Sequence, residues 1–117
     1  MKKTLMITNL LILVIGVIHC FSTPLFYSHY NLDSVWFLIS GCFLILLSFI
    51  NYLLVSLKDK ERLLFWLADI ANTIAVIVCT MLILVEAEAQ IIFLSIILWL
   101  NAICVWKYHY KFRRKQD

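Results

Sequence analysis

Four long apolar runs, nearly free of charge, constrain this chain more than anything else in it. They cover residues 5–21, 34–57, 63–85 and 89–106, and only the third contains a charged residue, Asp69. A helix crosses ~30 Å of hydrocarbon with about 20 mainly apolar residues. Lipid offers no hydrogen bonds, so spanning segments must be helices or the strands of a closed barrel. These runs lack the period-2 alternation of barrel strands. The expected fold is all-α, an integral membrane bundle of four transmembrane helices forming one domain over residues 1–117. Hydrophobic residues make up 64 % of the chain and charged residues 15 %. Soluble domains carry roughly 45–50 % and about 25 % respectively. Disorder needs the opposite balance, low hydrophobicity and high charge.

The charges set an orientation. Lys2 and Lys3 precede the first run. Lys58, Lys60 and Arg62 lie between the second and third, and Lys107, Lys111, Arg113, Arg114 and Lys115 follow the fourth. All ten basic residues therefore fall at one end of the expected bundle. The other end offers only Asp33, Glu86 and Glu88. Basic loops stay on the cytoplasmic side, so both termini are expected in the cytoplasm. The tail 107–117 reads as a topology anchor that also meets anionic headgroups, and not as a nucleic-acid site. The first run has the basic start of a signal peptide. It lacks a small-x-small cleavage context, and His19 before Cys20 is wrong for lipoprotein processing. It is read as retained.

Aromatic residues mark two water interfaces: Phe26, Tyr27, Tyr30 and Trp36 at one, Trp66, Trp106, Tyr108 and Tyr110 at the other. The 22–33 segment, with Pro24, is expected along the outer surface, with Asp33-Ser34 capping the second span.

Polar residues inside a bilayer are costly, and they serve either as structural glue or as functional sites. Counted at 1.5 Å per residue, Asn9, Asn51, Asp69, Asn72 and Asn101 all lie roughly 6–14 Å inside the cytoplasmic boundary. One polar layer through the bundle follows. It is either interhelical glue or a ligand or proton site, and Asp69, for which no basic residue is expected at the same depth, separates the two. Lys107 and the N-terminal lysines are its nearest basic candidates. Small residues also recur at helical spacing: Ala68, Ala71, Asn72, Ala75 and Cys79 in the third span, Gly41, Ser48 and Asn51 in the second. In the first, Asn9, Ile12, Gly16, His19 and Thr23 share a face. These faces are expected to pack inward.

His19 lies near the outer end, as do Glu86 and Glu88. A His–Glu pair would suit a proton or a cation such as zinc. No spaced ligand set completes a site, so no metal and no cofactor are assigned. The alternative is an ordinary hydrogen-bonded histidine. His29 and His109 are read as solvated, in the outer loop and the basic tail. The four cysteines, Cys20, Cys42, Cys79 and Cys104, are read as small packing residues, and Cys20 is the one expected to meet an oxidising environment.

No phosphate-binding glycine loop, nucleophile elbow or H-E-x-x-H motif is present in the sequence. The size matches four-helix multidrug exporters, but residues 10–15 are aliphatic where that family has its central glutamate. Gly16-Val17-Ile18-His19 with Thr23-Pro24, then Trp36-Phe37, Gly41 and Asn51, resembles a segment of uncharacterised small bacterial four-helix inner-membrane proteins. The resemblance covers residues 16–51. It implies a bacterial cytoplasmic membrane setting and draws attention to His19 and Asn51, without implying an activity. The expected function is that of a small non-enzymatic accessory subunit or small-ligand binder. A proton- or cation-coupled transporter acting as an oligomer, and a membrane enzyme using His19 with an acid, are the alternatives. Expected partners are the bilayer and a homo-oligomer or larger membrane complex.

The orientation is testable. A reporter fused after Asp117 is expected to read as cytoplasmic and one inserted at His29 as external; an external C-terminal reporter overturns it.

Overall fold

The computed structural model describes residues 1–115, and it is built of four α-helices. They are α1 (Lys2–Phe26), α2 (Leu32–Ser56), α3 (Arg62–Val85) and α4 (Ala89–Arg114). Each is long and apolar enough to cross a membrane. Met1, Lys58 and Lys115 line one cavity, so the first helix's start, the α2–α3 link and the last helix's end share one end of the bundle. The body measures 54 × 26 × 22 Å, the proportions of four roughly parallel rods.

The helices run beyond the apolar runs. α1 continues through Pro24 to Phe26, leaving only 27–31 between α1 and α2 where a surface segment over 22–33 is expected. Proline so close to a helix end removes one backbone bond and terminates the helix shortly after instead of breaking it. The carbonyl of His19 accepts hydroxyl bonds from Ser22 and Thr23 at 3.1 and 3.0 Å. The cap of α2 is Asn31, not Asp33-Ser34. The Asn31 side chain accepts from the Ser34 N–H at 2.8 Å, and the Ser34 hydroxyl accepts from the Asn31 N–H at 3.0 Å. Asn31 takes the extended backbone a cap needs and Ser34 sits three residues on, which makes a reciprocal capping box. At the other end, α4 extends eight residues past Trp106 to Arg114, so most of the basic tail is helical.

The inward faces follow the small-residue stripes. Ala68, Asn72, Ala75 and Cys79 of α3 are buried, as are Gly41, Ser48 and Asn51 of α2 and Asn9, Ile12, Gly16 and Thr23 of α1. Large aliphatic residues such as Ile18, Leu46, Ile70 and Ile96 are exposed on the outside. Two apolar clusters fill the interior. One is built on Ile12, Leu44, Leu47, Val76 and Leu98, the other on Leu5, Leu54, Phe65 and Val105. On α1, α2 and α3 the two are separated by polar side chains, and on α4 Asn101 sits within the same level.

Helices α1 and α2 come closest where their glycines face each other. A Cβ on Gly16 would lie 3.0 Å from the Gly41 carbonyl oxygen and 3.0 Å from Leu44 Cβ. One on Gly41 would lie 2.8 Å from Cys20 Sγ, 3.0 Å from the Gly16 carbonyl oxygen and 3.1 Å from the Cys20 amide nitrogen. Backbone atoms on both sides cannot step aside as a side chain can. Gly41→Ala is therefore expected to destabilise the bundle by about 1–3 kcal/mol, as overpacking does. A lowered melting temperature in detergent checks this; an unchanged one shows that α1 and α2 can separate at no cost.

Candidate functional site

Four polar side chains between the two apolar clusters form one chain of hydrogen bonds that reaches all four helices. On α1, the Thr8 hydroxyl donates to Asn101 Oδ1 of α4 at 2.8 Å. Asn101 Nδ2 donates to Asn72 Oδ1 of α3 at 2.8 Å. Asn72 Nδ2 donates to Asn51 Oδ1 of α2 at 2.7 Å, and Asn51 Nδ2 returns a bond to Asn72 Oδ1 at 3.3 Å. A separate contact ties α1 to α2 beside this chain: Asn9 Nδ2 donates to the Ser48 carbonyl at 3.1 Å, and the Ser48 hydroxyl, which donates to the Leu44 carbonyl of its own helix at 3.0 Å, lies 3.4 Å from the Asn9 carbonyl. Asn51, Asn72 and Asn101 are fully buried.

Asn72 is the hub. Its second N–H donates to the Ala68 carbonyl at 2.8 Å, so both donors and both lone pairs of its amide are used. Asn9 is less well matched, because its Oδ1 is buried with no partner among the described residues.

Asp69 does not face an empty level, and it does not pair with Lys107 or the N-terminal lysines. Its Oδ2 is hydrogen-bonded to His109 Nδ1 of α4. His109 is buried, so its expected place in a solvated tail is corrected. The physical reason is that α4 stays helical past Trp106. Leu98, Ala102, Val105 and His109 then recur at steps of three and four on its buried face, while Lys107 and Lys111 turn outward. The imidazole lies against Phe65, with ring centroids 5.1 Å apart, and edge-on to Trp66 at 5.4 Å. The Arg113 guanidinium covers the outer side of Trp66 at 5.8 Å. Asp69 Oδ1 and His109 Nε2 are buried without a partner among the described residues. With a deprotonated aspartate, the imidazole Nδ1 is the donor and Nε2 holds the orphaned valence.

At the opposite end, His19 stacks on Phe37 with centroids 3.7 Å apart. No hydrogen bond or ion pair among the described residues joins it to Glu86 or Glu88. Glu86 is exposed at the end of α3, and Glu88 accepts from Gln90. Among the described residues no group of three histidine, cysteine or acidic side chains is placed to hold a metal ion. Cys20 and Cys42 approach to 3.8 Å between sulfurs, and all four cysteines are free thiols.

Sequence reasoning missed Thr8 and His109. Thr8 adjoins Asn9 and completes the α1–α4 contact. The signal for His109 was its place eight residues after Asn101, on the same helical face. No family model, curated protein or solved structure matches this chain.

Asn72 is the expected weak point. An interhelical hydrogen bond in a bilayer contributes ~0.6 kcal/mol on average and at most about 1.7. Asn72→Ala removes bonds to two other helices and leaves Asn51 and Asn101 underpaired, so a loss of about 1–3 kcal/mol is expected. Asn51→Ala combined with Asn72→Ala is expected to cost less than the sum of the two single changes. Detergent unfolding of the three variants measures this, and additive losses disprove a shared chain of hydrogen bonds.

Proposed function

We propose that the chain is a small non-enzymatic protein of a bacterial cytoplasmic membrane, with both termini in the cytoplasm. It acts as an accessory subunit or small-ligand binder, within a homo-oligomer or larger membrane complex. One observation carries this reading over a carrier built on the polar layer. The carboxamides of Asn51, Asn72 and Asn101 are spent on one another, tying the helices together. A transport site needs polar groups that exchange partners with a cargo, and the amide of Asn72 has no free valence left. The segment Gly16 to Asn51, which resembles small bacterial inner-membrane proteins, supports the setting.

A second reading draws on the Asp69–His109 pair. Two ionisable groups joined by a hydrogen bond, each with an orphaned buried atom, form a minimal proton-holding dyad. On that reading the oligomer moves protons or cations, and Asp69 and His109 carry them. The enzyme reading around His19 gains no acid partner, because Phe37 holds the ring.

The two are separated by flux. The protein is reconstituted into proteoliposomes and a pH gradient is imposed. The accessory reading expects the gradient to decay as in empty liposomes, and Asp69→Asn to stay folded with its hydrogen bond to His109 retained. The carrier reading expects wild-type leakage abolished by Asp69→Asn and by His109→Gln. Leakage of that kind overturns the accessory reading. Mass spectrometry of the protein released from native lipid then identifies a retained ligand or subunit.

A further inference from the structure

The basic end of the bundle contains a cavity. Lys2 of α1, Lys58 and Lys60 of the α2–α3 link, Lys111 of α4 and Lys115 just past its end line it. Its floor is aromatic: buried Phe65, with Tyr108 and Phe112 at 5.8 and 4.2 Å between ring centroids. Among the described residues no carboxylate lines it, and none forms an ion pair with any of the five lysines. Asp59 and Glu61 alternate with Lys58 and Lys60 in the sequence, yet they contribute nothing to the lining.

Five ammonium groups drawn from three parts of the chain repel one another unless an anion lies between them. One of the five is held in place. Lys60 Nζ donates to the Leu57 carbonyl at 2.6 Å and lies 5.7 Å from the centre of the Tyr108 ring. An ammonium has three donors, so two remain to point into the cavity. Lysine binds phosphate as a compact point charge. Phe65 and Phe112 give the site an apolar floor beneath its charged walls.

We propose that this cavity binds a phosphate-bearing anion, with a phospholipid headgroup as the source that its aromatic floor and its level at the bundle end fit best. The site gives the binder reading a ligand class and rests on that reading. It differs from the general attraction of a basic tail because the lysines are selected. Lys2, Lys58, Lys60, Lys111 and Lys115 take part, while Lys3 and Lys107 do not line the cavity.

The test compares two double variants of equal charge, Lys60→Gln with Lys111→Gln and Lys3→Gln with Lys107→Gln. Each full-length protein is titrated in detergent with phosphatidylglycerol or phosphatidylcholine, and bound lipid is counted by native mass spectrometry. A parallel arm titrates inorganic phosphate and reads the melting temperature. Lys3, Lys107 and Lys111 are exposed and Lys60 is half-buried, holding one backbone carbonyl and one ring, so the control variant is expected to melt like the wild type in neutral lipid and the cavity variant slightly below it, both folded. The cavity variant is expected to lose phosphatidylglycerol affinity by about tenfold or more, and the control by about twofold or less. Protection by phosphatidylglycerol assigns the site to a lipid, and protection by inorganic phosphate alone assigns it to a soluble phosphate. Equal losses in the two variants, or no preference over phosphatidylcholine, overturn the proposal. Proton leakage in proteoliposomes would remove the binder reading while leaving the lysine comparison intact, so the two failures are distinct.

Discussion

The structure depends on one chain of hydrogen bonds that reaches all four helices. Apolar contacts alone discriminate poorly between one register and the next when the outside is as apolar as the inside. In a bilayer they carry little hydrophobic driving force between helices. Carboxamides do discriminate. Sliding α3 by one turn, about 5.4 Å, would bring Ala68 or Ala75, or a neighbour of theirs, opposite Asn51 and Asn101. Asn51 would then lose its side-chain partner, and Asn72 and Asn101 would lose the bond between them. The two apolar clusters and the close Gly16–Gly41 approach fill space around this level; the amides decide which residues meet there.

The Asp69–His109 pair makes a related contribution nearer the basic end. It ties α3 to α4 about one turn from the amide level, inside a shell of Phe65 and Trp66. Burying a charged pair costs desolvation that its attraction only partly repays. The aromatic shell and the Arg113 stack on Trp66 keep the pair at a boundary between apolar core and charged surface, where that cost is smaller. The lysine-lined cavity begins on the far side of Phe65. One ring thus separates a buried ionisable pair from an open basic site, and both depend on α4 remaining helical through its charged residues.

Much of this was legible in the sequence, for identifiable reasons. Helix positions follow from hydropathy, because apolar runs of 17 to 24 residues admit few other readings. The inward faces follow from Ala68, Ala75, Gly16 and Gly41 recurring at helical steps. The amide level follows from counting rise per residue inward from each basic flank. What escaped had a competing local signal. His109 sits among Lys107, Lys111 and Arg113, and a basic stretch reads as solvated unless the helical phase is carried on from Val105. A threonine ordinarily spends its one hydroxyl hydrogen on its own helix, and the Thr4 and Leu5 carbonyls lie within reach, so the shorter bond of Thr8 to Asn101 is invisible without the fold. Asn31 as cap was obscured by Asp33-Ser34, an equally good capping pair by composition. Which lysines share a cavity depends on where the α2–α3 link folds, and hydropathy carries no information on that.

The amide chain also has a sense of direction. From Thr8 to Asn101 to Asn72 each side chain donates to the next, and only the pair of Asn72 and Asn51 returns a bond. An amide whose oxygen is loaded by a donor becomes a stronger donor at its nitrogen, so aligned bonds polarise one another. The dipoles add from Thr8 through Asn101 to Asn72, and the hydroxyl of Thr8 on α1 strengthens a bond between α4 and α3 that it never touches. Helices α1 and α3 become electronically connected through Asn101 of α4, with no moving part between them.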